Sequence, residues 1–97
     1  MNKASLLDRK QIKIMKLKLK DNWEVVDDRK IRGQFIFKNF PEAIDFVNKI
    51  VKIAEKLDHH PDISIHYNKV IIEIWTHKVE GLIELDFDLA EKIGRLK

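Results

Sequence analysis

The sequence predicts an α+β domain: a four-stranded antiparallel sheet with three helices packed on one face, in the order α-β-β-α-β-β-α. Three observations carry that reading. Residues 23–37 and 62–77 each hold two runs of alternating or β-branched apolar residues around a short polar turn. Three other segments repeat apolar residues at steps of three and four, the period of a half-buried helix. Single helices therefore separate strand pairs short enough to be hairpins, which favours an antiparallel layer over a parallel one. A chain of 97 residues has room for one core, so residues 1–97 are read as one domain.

The first helix is placed at about residues 8–18. Lys16 to Lys20 alternate like a strand, but Asp8 followed by Gln11 resembles a capping box, and Leu7 with Ile12 stands where a hydrophobic staple belongs. Capping decides for helix. Residues 23–28 and 30–37 form the first hairpin, turning at Asp27-Asp28-Arg29. Asn39-Phe40-Pro41-Glu42 supplies a helix start, and Ile44, Val47, Ile50, Val51, Ala54 and Leu57 continue it over about 41–57. Pro61 disfavours helical geometry just before it, so this helix stops near Asp58-His59-His60. The second hairpin runs through Ile63, Ile65 and Tyr67, turns at Asn68-Lys69, and returns through Val70, Ile72, Ile74 and Thr76 to His77. Leu85, Leu89 and Ile93 mark a last helix over roughly 84–95.

Composition removes several classes of function. Absence of cysteine excludes disulfides, thiolate metal sites and cysteine nucleophiles. No stretch approaches a membrane span and the N-terminus lacks an apolar signal region, so a cytoplasmic location without membrane attachment is expected. The net charge of +3 and the lysines of residues 10–20 are the solvated side of an amphipathic element rather than a nucleic-acid surface. Ser5 and Ser64 lie outside any nucleophile elbow, and no glycine-rich phosphate loop is present.

The chemistry concentrates on histidine. Of four histidines, His59 and His60 follow the second helix and His77 ends the last strand, so the second hairpin brings all three to one end of the sheet. His66 falls mid-strand on the polar alternation and faces solvent. Converging imidazoles can carry protons near neutrality or hold a divalent metal. Adjacent His59 and His60 point apart, and no i, i+4 pair exists, which argues against a metal. Acid–base work without a bound cofactor is left, with Asp86 the nearest carboxylate to orient the rings.

The segment Glu55-Lys56-Leu57-Asp58-His59-His60-Pro61, then Tyr67-Asn68-Lys69-Val70 and Thr76-His77-x-x-x-Gly81-Leu82-x-x-x-Asp86, closely resembles the pterin-4a-carbinolamine dehydratases. Trp23 and the Phe35-x-Phe37-x-x-Phe40 pattern also fit. The resemblance implies the same α+β fold and dehydration of 4a-hydroxytetrahydropterin to quinonoid dihydropterin, with no cofactor. It implies that His59 and His77 form the acid–base pair and that His60 binds and orients the pterin. Asp58, Trp75, Thr76 and Lys78 would line the substrate site, while Glu55 and Asp86 support the histidines. Trp23 either covers the pterin ring or is an ordinary core aromatic. A homodimer or homotetramer is implied as well, and relatives that serve as a dimerisation cofactor make an interaction module, using Ile71, Glu73 and Trp75 on the outer face, the alternative role.

Four positions depart from the family pattern. Ile83 and Leu85 are aliphatic where relatives often carry a hydroxyl and an arginine, and Trp75 and Lys78 replace smaller or acidic residues. A missing hydroxyl at Ile83 removes a helix cap, a loss of about 1 kcal/mol unless a neighbour replaces it. A different pterin as substrate is also compatible with the motif.

Overall fold

Val70, Ile72 and Ile74 alternate with Lys69, Ile71 and Glu73, and in the computed structural model, which describes residues 5–97, this strand is the sheet's interior. The elements are α1 (Arg9–Lys16), β1 (Trp23–Val26), β2 (Lys30–Ile36), α2 (Phe40–Leu57), β3 (Asp62–His66), β4 (Lys69–Ile74) and α3 (Glu84–Gly94). The sheet is antiparallel with strand order β1-β2-β4-β3. The predicted fold class and element order are therefore observed. No helix among the described residues is long and apolar enough to cross a membrane.

Local chemistry fixes the helix starts. Asp8 accepts from the Gln11 amide at 2.8 Å, while the Gln11 side chain accepts from the Asp8 amide at 3.0 Å. That reciprocal box opens α1 as the sequence predicts, and Leu7 and Ile12 are both buried beside it. The helix closes at Lys16, two residues short of the expected end. Asn39 caps α2 by accepting from the Glu42 amide at 3.0 Å, with Pro41 in the first turn.

Period-two patterning puts Ile31, Gly33, Phe35, Val70, Ile72 and Ile74 on the inner face, where α2 contributes Ala43, Phe46 and Ile50 and α3 contributes Phe87, Leu89, Ala90 and Ile93. Trp23 joins this core, edge-on to Phe35 at 5.5 Å, and Phe35 in turn meets Phe46 at 4.7 Å. The indole also lies across Gly33, its register partner: a Cβ at Gly33 would fall 2.6 Å from Trp23 Cε3. Glycine is thus required there by close approach.

The outer face carries a charged cluster around Glu73. Glu73 accepts from Arg32 at 2.8 Å and from Lys30 at 3.3 Å, and the Arg32 hydrogen bond holds its carboxyl below the usual range. Ile71, Glu73 and Trp75, expected to be exposed, are half-buried among these side chains.

Both hairpin turns differ in detail from expectation. Asp27 and Asp28 each take φ of 54°, and the Arg29 amide donates to Val26 at 3.0 Å, so β1 ends two residues before the predicted limit. Aspartate is among the residues that tolerate this left-handed geometry. The second turn is Tyr67-Asn68 rather than Asn68-Lys69: Tyr67 takes φ of 54° and Lys69 already pairs with His66. Within that turn the Asn68 side chain donates to the Phe37 carbonyl at 2.9 Å, tying it to the end of β2.

Gly33→Ala is expected to destabilise the fold by about 1–3 kcal/mol, the usual range for overpacking. Urea unfolding followed by tryptophan fluorescence measures it, since Trp23 is the residue displaced.

Candidate active site

Helix α2 delivers the first two histidines by the way it ends. Asp58 adopts φ 51°, ψ 44°, and the His59 amide donates back to the Ala54 carbonyl at 3.0 Å. This closure reverses the chain over the last helical turn, a geometry usually given to glycine. An aspartate there accepts local strain and places a carboxylate beside the two imidazoles. Pro61 then leads the chain into β3.

The third histidine arrives differently from the sequence reading, which ran the last strand through to His77. Strand β4 stops at Ile74, because Asp62, the first residue of β3, is already paired with Glu73 and no strand partner continues beyond Ile74. Thr76 pairs instead with Gly81: its amide donates to the Gly81 carbonyl at 2.8 Å, and the Gly81 amide donates back at 3.3 Å. The loop between them curls into a 3-10 turn over His77–Val79. His77 is the first residue of that turn and is exposed.

Asp86 links the two segments. It sits in the first turn of α3, where a carboxylate complements the helix dipole, and it is fully buried. One oxygen, Oδ1, lies 2.5 Å from His59 Nε2. The other accepts from the Thr76 hydroxyl at 2.8 Å and from the Ile83 amide at 2.8 Å. Asp86 thus supplies the reciprocal half of a capping box by satisfying the N-cap amide, while the acceptor that a hydroxyl at Ile83 would offer the Asp86 amide is not replaced by a side chain, and that amide donates to the Ile83 carbonyl at 3.1 Å. A carboxylate only accepts, so the His59 Nε2 carries the hydrogen and Nδ1 keeps the lone pair of the neutral ring.

His60 Nε2 lies 2.5 Å from Glu55 Oε2, one turn back on α2, with both side chains more than half exposed. His59 is much better enclosed, its side chain 14% exposed. His59 and His60 border a cleft of about 440 Å³ walled also by Asp58, Trp75, Thr76, His77, Lys78, Val79, Ile83 and Leu85. Its size is within the range of small-molecule sites.

Of the residues singled out from sequence, Asp58, His59, His60, Trp75, Thr76, His77 and Lys78 share this cleft, with Asp86 and Glu55 bonded behind two of its histidines. Trp23 is not among the lining residues: it is 2% exposed in the core. His66 lies on β3 outside the cleft lining, as expected. Val79 had no sequence signal, because its place depends on the 3-10 turn. Ile83 and Leu85 stood out in the sequence only as departures, and their apolar side chains form part of the wall. Among the described residues no three histidine or carboxylate side chains gather as a metal site.

A small antiparallel sheet backed by helices, with imidazoles on hydrogen-bonded carboxylates around an open cleft, is an arrangement chemically able to exchange protons with a small molecule. Comparison with known proteins narrows that class. The family model described as pterin 4 alpha carbinolamine dehydratase matches residues 5–96, and the chain belongs to that family. A relative from Picosynechococcus sp. that carries the pterin-4-alpha-carbinolamine dehydratase name is 57% identical over 74 residues, 76% of this chain and 79% of its own length. One of the same name from Sulfolobus acidocaldarius is 42% identical over 91 residues, covering 94% of this chain and 98% of its own. A crystal structure of a transcriptional coactivator/pterin dehydratase from Brucella melitensis superposes with a TM-score of 0.88 at 35% identity, over 95% of this chain and 98% of that one.

Because Asp86 both caps the start of α3 and bonds His59, two substitutions separate its roles. Asp86→Ala, which strands several donors, is expected to cost about 3 kcal/mol in chemical denaturation. Asp86→Asn keeps one acceptor and is expected to retain most stability while lowering kcat by about 10–100-fold, as loss of a histidine's supporting carboxylate does elsewhere.

Proposed function

We propose that the cleft dehydrates a 4a-hydroxytetrahydropterin to the quinonoid dihydropterin and water, with His59 and His77 as the proton carriers. The observation that carries this reading is the buried Asp86–His59 bond opening onto a cleft that His60 and His77 also line. In the proposed reaction an acid protonates the departing 4a-hydroxyl, the adjacent ring nitrogen pushes its electron pair toward C4a, and a base removes that nitrogen's proton. Atoms balance with water as the one leaving product, so no redox partner enters.

The division of labour follows from how the rings are held. His59, donating Nε2–H to Asp86, keeps Nδ1 as a proton acceptor, and the buried carboxylate balances the charge it gains. That arrangement supports His59 as base and leaves His77 to supply the proton to the hydroxyl. His60, tied to Glu55 at the rim, is suited to binding the heterocycle's polar edge. Asp58, Thr76 and Lys78 supply further polar contacts, and Val79, Ile83 and Leu85 offer apolar surface to the flat ring.

A second role rests on a separate observation. Among the described residues β1 and β3 are the edges of the sheet, and the Brucella neighbour is named a transcriptional coactivator as well as a dehydratase. Self-association to a dimer or tetramer, burying an edge, is the corresponding proposal. Static light scattering across a concentration series is expected to give a multiple of the chain mass; a monomer throughout would refute it.

Incubating the purified protein with the 4a-carbinolamine and following quinonoid formation spectroscopically tests the catalytic reading. Turnover well above the spontaneous rate is expected, and equality with it sinks the proposal. His59→Ala and His77→Ala are each expected to slow the reaction by about 10²–10⁴-fold with unchanged circular dichroism.

A further inference from the structure

The three imidazoles of the cleft are held in unlike ways. His59 rests on Asp86 and His60 on Glu55. The His77 ring has no hydrogen-bonding or charged partner among the described residues; its ring contact is a stack on Trp75, with centroids 4.0 Å apart and planes 27° apart. His77 lies exposed at the start of a 3-10 turn, where the backbone leaves several side-chain rotamers open.

Trp75 is itself fixed on two sides. It is half-buried against the core, and its indole Nε1–H donates to Asp62 Oδ2, the first residue of β3, at 3.4 Å. Trp75 and His77 flank Thr76, and extended backbone sends alternate side chains to opposite sides. Thr76 accordingly bonds Asp86, while its two neighbours meet each other. One run of three residues thereby serves both proton carriers.

We propose that Trp75 is a positioning residue for the reaction: its indole, anchored on Asp62, holds the His77 imidazole in the orientation from which it exchanges a proton with the pterin. The proposal rests on His77 being a proton carrier, as argued above. One face of the indole is taken by the imidazole and its N–H edge is directed to Asp62, while the ring also borders the cleft, so direct contact with substrate would be read as an effect on KM and positioning of His77 as an effect on kcat. An aromatic stack of this kind biases a ring toward one rotamer by about three- to tenfold. The productive fraction of His77, and with it kcat, should fall by a similar factor when the indole is removed.

Trp75→Leu removes the aromatic face, and Trp75→Phe keeps a face without the N–H. In the ligand-free protein, NMR is expected to show the His77 ring protons shifted upfield by the indole in wild type, largely retained in Trp75→Phe and lost in Trp75→Leu. With the 4a-carbinolamine, Trp75→Leu is expected to lower kcat about tenfold with KM changed less than about twofold, and Trp75→Phe to recover most of the loss. Should Trp75→Leu fail to fold, Asp62→Ala frees only the indole's edge and is expected to give a smaller loss of kcat of the same kind. A raised KM at unchanged kcat, or wild-type kinetics and ring shifts in every variant, overturns the proposal. An inactive wild type overturns the dehydratase reading and this inference with it; an active wild type beside an indifferent Trp75→Leu overturns this inference alone.

Discussion

The carboxylate of Asp86 is the constraint on which the rest of the site depends. It is fully buried, and burial of a charge is tolerated only when its oxygens are well bonded. Each partner comes from a different part of the chain: the ring of His59 after α2, the hydroxyl of Thr76 after β4, and the amide of Ile83 before α3. Two connections, the one after α2 and the one between β4 and α3, therefore converge on one group. Displacing His59 would leave Oδ1 without a partner in the interior, and displacing both Thr76 and Ile83 would do the same to Oδ2, so the geometry of the cleft is tied to the stability of the fold.

Much of this was legible in the sequence because the signals were local. The Asp8–Gln11 box, the Asn39 cap with Pro41, and the alternation of Val70, Ile72 and Ile74 each fix an element by interactions a few residues long. The cluster of Asp58, His59, His60 and His77 was legible for another reason: a hairpin returns its second strand to the start of its first. Non-local contacts account for the remainder. Strand β4 stops at Ile74 because of pairing on neighbouring strands, and the turn that follows depends on Thr76 meeting Gly81. Neither relation has a pattern inside the segment itself.

Trp23 and Trp75 show the same limit from opposite directions. Both tryptophans read as candidates to line a ligand, since a large aromatic suits either a binding wall or a core. Trp23 faces Phe35 and lies over Gly33, a contact set by strand register. Trp75, by contrast, sits where the sheet ends and borders the cleft. Register and strand length decide which aromatic is core and which is rim, and both quantities are properties of paired strands.

The meeting of His59 with Asp86 is also a meeting of two helix ends. Helix α2 closes immediately before the histidine, and α3 opens around the aspartate. Aligned peptide dipoles leave about half a negative charge at the first of these ends and half a positive charge at the second. A proton placed on His59 thus creates a positive group beside the negative end and faces a negative group seated at the positive end. The two helices act like the plates of a small charged gap, whose polarity favours the positive charge that His59 would gain in the proposed reaction.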